Sequence, residues 1–289
     1  MILDYPKLHD NELYFAYILR YYRYRGESNI DRHFQYFLQT STYPTSVVFM
    51  SSLNKSLEDI CLEPKEYVES HSTIPYYRIF CEKELYENLK VEKIVDKAFY
   101  MRRFLQKQNT GIATENSELK YCPICHSDRK DYSDIQIYHQ IPEVHVCAEH
   151  HCYLKSLSIN SRRRLRAPEN WDVSFEECTD AWLNGIAEDV KYIFDTKPNI
   201  FVDSFQDAFW KWFEECEIKI SFKDWEKWVL ESVMKLPDVY RQYFKTFDFR
   251  KHLTAENSAN VPGIEYLVLV RMMFGGFREF VEDIISSKK

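Results

Sequence analysis

The stretch YCPICHSDRKDYSDIQIYHQIPEVHVCAEHHCYL, residues 121–154, decides how the rest of the chain is read. Four of the eight cysteines and five of the nine histidines fall within these 34 residues. Cys122 and Cys125 form a Cys-x-x-Cys, and Cys147 and His150 a Cys-x-x-His, with 21 residues between the pairs. A two-residue gap inside a tight turn directs both side chains at one point. Two such turns joined by a hairpin give tetrahedral ligation by three sulfurs and one nitrogen, which suits Zn2+. Pro123 stiffens the first turn. Four protein ligands leave no position for water or substrate, so the expectation is one structural zinc and no chemistry.

His126, His139, His145, His151 and Cys152 are the alternative ligands, with His151 the nearest rival to His150. A zinc deaminase needs a His-x-Glu upstream of a Pro-Cys-x-x-Cys, and neither stands here. A thioredoxin-type pair needs a βαβ setting, which the flanking pattern lacks. The intervening DIQIYHQIPEVHV alternates and carries β-branched and aromatic residues, which predicts ribbon strands. The polar loop 109–120 leads into the module, and the basic connection SINSRRRLRAPEN leads out of it.

Outward from the module, the pattern is helical on both sides. The spacing predicts a mostly buried first helix over 10–25, with Asp10 as its N-cap and Gly26 as its end. Helices over 30–39 and 53–61 follow, and the three together are compatible with a helix-turn-helix. Residues 64–80 read as a short helical piece and then an extended segment through Pro75. A long amphipathic helix is expected over 82–107. Further helices are expected over 179–194, 203–215, 222–235, 238–247 and 262–282, with Phe222, Trp225, Val229, Val233 and Leu236 on one face of the third. The fold class is therefore mostly α. It divides into an N-terminal helical region (1–110), a small zinc-ribbon or zinc-finger module (111–170) and a C-terminal helical region (171–289).

Composition narrows the function. The chain of 289 residues is 45% hydrophobic and 29% charged, an ordinary globular mixture. With six glycines and no clustered glycine motif, it lacks the backbone cradle that nucleotide phosphates need. No export signal and no apolar run of bilayer length is read, so the expectation is a cytoplasmic, nucleoid-associated protein without a membrane or a small-molecule substrate. A formal charge of −7 requires any nucleic-acid contact to be a local basic patch. Arg162, Arg163, Arg164 and Arg166 form the densest basic run and are the candidate DNA contacts. Arg20, Arg23 and Arg25, interleaved with Tyr21, Tyr22 and Tyr24, form a second group suited to phosphate contact and stacking.

Three segments together resemble the TniQ/TnsD family. DNELYFAYILRYYRYRG is similar to its N-terminal signature, HSTIPYYRIF to its His-Thr-x-x-Pro-x-Tyr-x-x-Phe segment, and residues 121–154 to its zinc module. The departures are Ala16 for a serine, and Glu143 and His151 for glycines. Some relatives carry a second Cys-x-x-Cys ribbon; here only Cys152, Cys178 and Cys216 follow, so one zinc is expected. The resemblance implies a non-catalytic adaptor in DNA transposition. Such a protein links target DNA, or an RNA-guided complex bound to it, to the AAA+ ATPase TnsC. It also makes the N-terminal part, with Arg20, Arg23 and Arg25, the expected surface for that partner. The alternative is a zinc-containing transcription regulator that reads DNA through its N-terminal helices; a metal-dependent enzyme is the remote third class.

Overall fold

The computed structural model describes residues 6–38, 62–80, 83, 118–129, 132, 134–200, 202–215, 221–246 and 263–287. The helices expected over 53–61 and, but for Lys83, over 82–107 lie outside them, and with the former the third member of a helix-turn-helix.

The described residues are mostly helical. In chain order the helices are α1 (Tyr14–Tyr24), α2 (Ile30–Leu38), α3 (Pro64–Ser70), α4 (Ile74–Arg78), α5 (Pro123–Arg129), α6 (Arg162–Leu165), α7 (Ala181–Thr196), α8 (Val202–Glu215), α9 (Phe222–Val233), α10 (Asp238–Arg241), α11 (Gly263–Phe274) and α12 (Phe277–Ser287). Two four-residue strands, β1 (Glu118–Tyr121) and β2 (Lys155–Ser158), pair antiparallel, with Leu119 opposite Leu157. They close the base of the cysteine-histidine module from its two ends. One apolar cluster runs from Leu13 through Leu119 and Val190 to Ile284.

Several local expectations change. Asp10 does not cap α1, because the chain turns at Asn11 (φ 56°) and the helix starts only after Leu13, with Asn11 and Leu13 bonded to the module instead. Leu13 N–H donates to Ile135 O at 3.0 Å, and Ile137 N–H to Asn11 O at 2.9 Å. Gly26, at φ 62°, does end this helix, in the left-handed conformation that glycine adopts without a Cβ clash. Pro75 opens α4 instead of lying in an extended segment; a proline in the first turn loses no helical hydrogen bond. The alternating residues 134–146 do not form ribbon strands. Both sides of the alternation are buried, Ile135, Ile137, Tyr138 and His139 alike, and a 3-10 turn at Ile137–Gln140 bends the segment through the core. The connection after β2 is not a plain loop. It forms α6 and a 3-10 turn, with Leu165 buried beneath four exposed arginines.

At the C-terminal end the helix expected over 262–282 is two helices, broken at Gly275 (φ 90°) and Gly276. The break is held by Asp189 on α7. Its Oδ1 accepts from Phe277 N at 2.8 Å, and its Oδ2 takes Arg271 Nη1 at 2.7 Å. Of the expected apolar face, Trp225, Val229 and Val233 of α9 and Leu236 just beyond it are buried, and Phe222 is partly buried against the core.

Candidate metal centre

The first ligand pair sits on a helix start. Cys122 immediately precedes α5, Pro123 occupies its first position, and Cys125 N–H donates to Cys122 Sγ at 3.4 Å. His126 N–H, bonding to Cys122 O at 3.0 Å, closes the first turn. The second pair lies on a reversal in which His151 N–H donates to Cys147 O and Cys147 N–H to Cys152 O, both at 2.9 Å. His151 is left-handed there (φ 47°), the conformation that explains a glycine at this position in the family pattern. Glu143, the other glycine departure, is not left-handed.

These two turns bring together the four residues expected from the spacing. The ligand atoms of Cys122, Cys125, Cys147 and His150 all lie within 4.8 Å of one another. His150 Nδ1 is 3.3 Å from Cys125 Sγ and 3.6 Å from both Cys122 Sγ and Cys147 Sγ. Three thiols at such spacing cannot all ionise without a cation. Hydrogen bonds from Cys125 and Cys147 hold the Cys122 thiol down at about 3, while Cys125, donating to Cys122 and Cys147, is pushed far up. A metal ion at the centre removes that conflict, and the donor set of three sulfurs and one imidazole fits it.

The rivals stand outside this group of four. His151 Nε2 lies 3.1 Å from Glu188 Oε1 at the surface. His126 is buried, with Nδ1 3.1 Å from Asp134 Oδ2 and Nε2 2.8 Å from Pro168 O. His139 packs edge-on to Tyr138 and lies against Cys147, beside the cluster but outside the group of four. His145 faces Tyr240, and burial holds its imidazole down at about 4. Cys152 touches Cys122 at 3.6 Å but stands outside the group of four. A polar cavity of about 380 Å3, lined in part by Cys125, His150, Asp134 and Lys191, opens beside the cluster.

Glu12 and His71, which carry no role in the reading of the residues alone, are central to the architecture. Glu12 is fully buried and binds Arg20 through two oxygens, at 2.9 and 2.7 Å. Its main chain pairs with Gln136 of the module and accepts from His71 Nδ1 at 2.9 Å. The three segments that carry the family resemblance therefore meet at Glu12. Burial holds the His71 imidazole down at about 4, so it is the neutral ring that donates. The signal in the sequence was the acidic residue in NEL with an arginine eight positions later, a spacing that helix periodicity alone does not interpret.

Of the arginine groups, Arg20 is turned inward to Glu12, and its Nη2 also donates to Lys7 O at 2.6 Å. Arg23 and Arg25 are exposed, as are Arg162, Arg163, Arg164 and Arg166. No helix among the described residues is long and apolar enough to cross a membrane.

The class of protein follows: a helical chain organised around a small cysteine-histidine module whose four ligand atoms converge on one point. The sequence model of the TniQ family matches residues 5–154, more than half of the chain, and the chain belongs to the TniQ family. Comparison with curated proteins returns no significant match.

Proposed function

We propose that this chain is a non-catalytic adaptor in DNA transposition, which joins target DNA, or an RNA-guided complex on that DNA, to an AAA+ ATPase of the TnsC kind. Family membership over residues 5–154 is the observation that carries this reading. The geometry supports it, because a cluster of four protein ligands offers architecture and leaves no vacant position for a substrate. One Zn2+ held by Cys122, Cys125, Cys147 and His150 supplies folding free energy to a module with little regular structure of its own. The turn bearing Arg162, Arg163, Arg164 and Arg166 contacts target DNA. The N-terminal helices, with Arg23 and Arg25 exposed and Arg20 bracing them from within, face the ATPase.

The test is co-precipitation of an AAA+ ATPase of the TnsC kind, after nuclease treatment, together with elemental analysis of the purified protein. Capture of the ATPase and one zinc per chain is the expected result. A chain that ignores the ATPase but binds one short duplex tightly and sequence-specifically would instead be the transcription regulator. Turnover of a nucleotide or phosphodiester that disappears on Cys147→Ser would return it to the enzymes.

A further inference from the structure

The two arginine groups are distant in sequence and adjacent in space. Arg23 Nη1 donates to Glu169 Oε2 at 2.8 Å, across 146 positions. Arg162 Nε lies 2.9 Å from Asp31 Oδ1. These two ion pairs set the 3-10 turn Pro168–Asn170 against the end of α1, and α6 against the start of α2. Arg23 and Arg162 stand at this seam; Arg25 and Arg32 on the α1–α2 side and Arg163, Arg164 and Arg166 on the α6 side are exposed as well. Between α1 and α2 opens a cavity of about 250 Å3, lined by Tyr21, Arg25, Glu27, Arg32 and Tyr36. Tyr24 and Tyr36 are 60% and 58% exposed, which is unusual for large aromatic rings.

We propose that this seam is a single nucleic-acid surface that grips the phosphate backbone of duplex DNA. The proposal rests on the DNA contact argued above and extends it to Arg23, Arg25 and Arg32. Guanidinium forks match phosphate oxygens in pairs, and exposed tyrosines supply further hydroxyl and stacking contacts along a backbone. Both ion pairs are solvent-exposed, so the acids hold their arginines only weakly and release them to a stronger anion. The rest of the chain must be strongly acidic, since the whole carries −7 with these seven arginines included. A chain that is acidic on balance holds DNA only through a local basic surface, and the seam supplies one.

The turn is also held in place. Trp171 Nε1 donates to Arg164 O at 2.8 Å, and its indole stacks on His126 at 4.7 Å between ring centres. His126 adjoins the ligand Cys125, so the arginine run is fastened to the metal module. A consequence is that the ATPase meets this chain over the DNA that the seam holds, since Arg23 and Arg25 serve both.

The test is fluorescence anisotropy of the full chain on a labelled random-sequence duplex, across a salt series and without any partner. Two paired variants, R23E/R25E and R163E/R166E, should each weaken binding about tenfold or more. Each should also reduce the slope of log K against log salt by about 1.8, at roughly 0.9 for each phosphate that is no longer neutralised. Glu169→Gln should tighten binding, because it frees Arg23; a purely structural ion pair would leave affinity unchanged or weaken it. Unchanged affinity in R23E/R25E beside a loss in R163E/R166E would overturn the single surface and leave the DNA contact of the adaptor standing. Unchanged affinity in both pairs would remove that contact as well. Preference for single-stranded DNA or duplex RNA over duplex DNA would overturn the assignment to duplex. Metal content and circular dichroism of each variant show that the fold survives.

Discussion

Between Tyr121 and Cys178 the chain makes short turns, and polar side chains bonding to main chain hold it; from Ala181 onward it is helices packed on apolar faces. In the first region, the Lys120 Nζ just before it donates to three carbonyls, Ile141 O, Pro142 O and Val144 O, at 2.8–3.0 Å. Gln140 completes the edge of β1 by exchanging bonds with the main chain of Lys120 at 3.0 and 2.8 Å. In the second region the buried charged groups among the described residues are two carboxylates, Asp189 and Glu265, while Val190, Ile193, Val268 and Phe280 provide the packing. Apolar contacts are many and individually replaceable. The module depends on a few groups, each of which has no substitute. Single changes should therefore act almost all-or-none in the first region and in graded steps in the second.

The largest expected effect is at the metal ligands. Cys147→Ser should abolish metal retention and cooperative unfolding of the module, because metal binding to such sites carries on the order of 10 kcal/mol of folding free energy. Elemental analysis and a thermal melt read both outcomes. His151→Ala, whose ring faces Glu188, should keep the metal; loss of metal in that variant would replace His150 as the fourth ligand.

Next in size is Asp189→Ala. It strands the guanidinium of Arg271, which also donates to Gly185 O at 3.0 Å, and uncaps α12. Leaving a buried charge without its partner costs about 3–5 kcal/mol, measurable by urea unfolding. The double variant D189A/R271M should recover most of that loss. Failure to recover would place the effect in the cap at Phe277 instead of the ion pair.

How much of this was legible follows the same division. Helices α7 and α9 could be read to within two residues from periodicity; the N-cap of α7, Asp180, whose Oδ1 accepts from Trp182 N at 2.8 Å, sets its start two residues later than expected. The convergence of Cys122, Cys125, Cys147 and His150 was legible from spacing alone. What could not be read is what depends on contacts distant in sequence. The alternation of 134–146 signals a strand only if one face is wet, and here the N-terminal segment covers one side and the core the other. The break at Gly275 was invisible because the residue that stabilises it, Asp189, lies 88 positions earlier than the amide it caps. The meeting of the two arginine groups was hidden for the same reason.

A pH series separates the regions further, because two carboxyls join them. Burial pushes Glu143 of the module up to about 7, and Glu265 on α11 up to about 8. Both folded-state values lie above the ordinary carboxylate range, so the folded protein holds these protons more tightly than the unfolded chain does. Their contribution is fully present below about pH 4.5 and is lost as pH rises through 7 and 8. Stability should fall across that window, by at most about 1.4 kcal/mol per pH unit for each carboxyl. Glu265→Gln should flatten the upper part of the slope and Glu143→Gln the lower. A slope unaltered by both substitutions would assign the pH dependence to other groups.

The smallest effect gives the most direct comparison, since a non-glycine residue at the same left-handed φ stands in each region. His151 in the module and Lys197 at the end of α7 both have φ 47°, which costs a residue with a side chain about 1–2 kcal/mol relative to glycine. Glycine returns about 0.5–1 kcal/mol of that through the entropy of the unfolded chain. Each side chain also makes one polar contact, His151 with Glu188 and Lys197 with Ser70 Oγ at 2.7 Å. The pair at His151 is about half exposed on both sides and contributes little. His151→Gly should therefore stabilise the protein by about 0.5 kcal/mol. Lys197→Gly should gain less, because the bond to Ser70 is partly buried and ties α7 to the end of α3. Chemical unfolding of the two variants side by side gives the difference directly. If His151→Gly lowers stability, the surface contact with Glu188 holds the metal-site turn more strongly than its exposure allows. The rule that only buried polar groups fasten the module would then have to be given up.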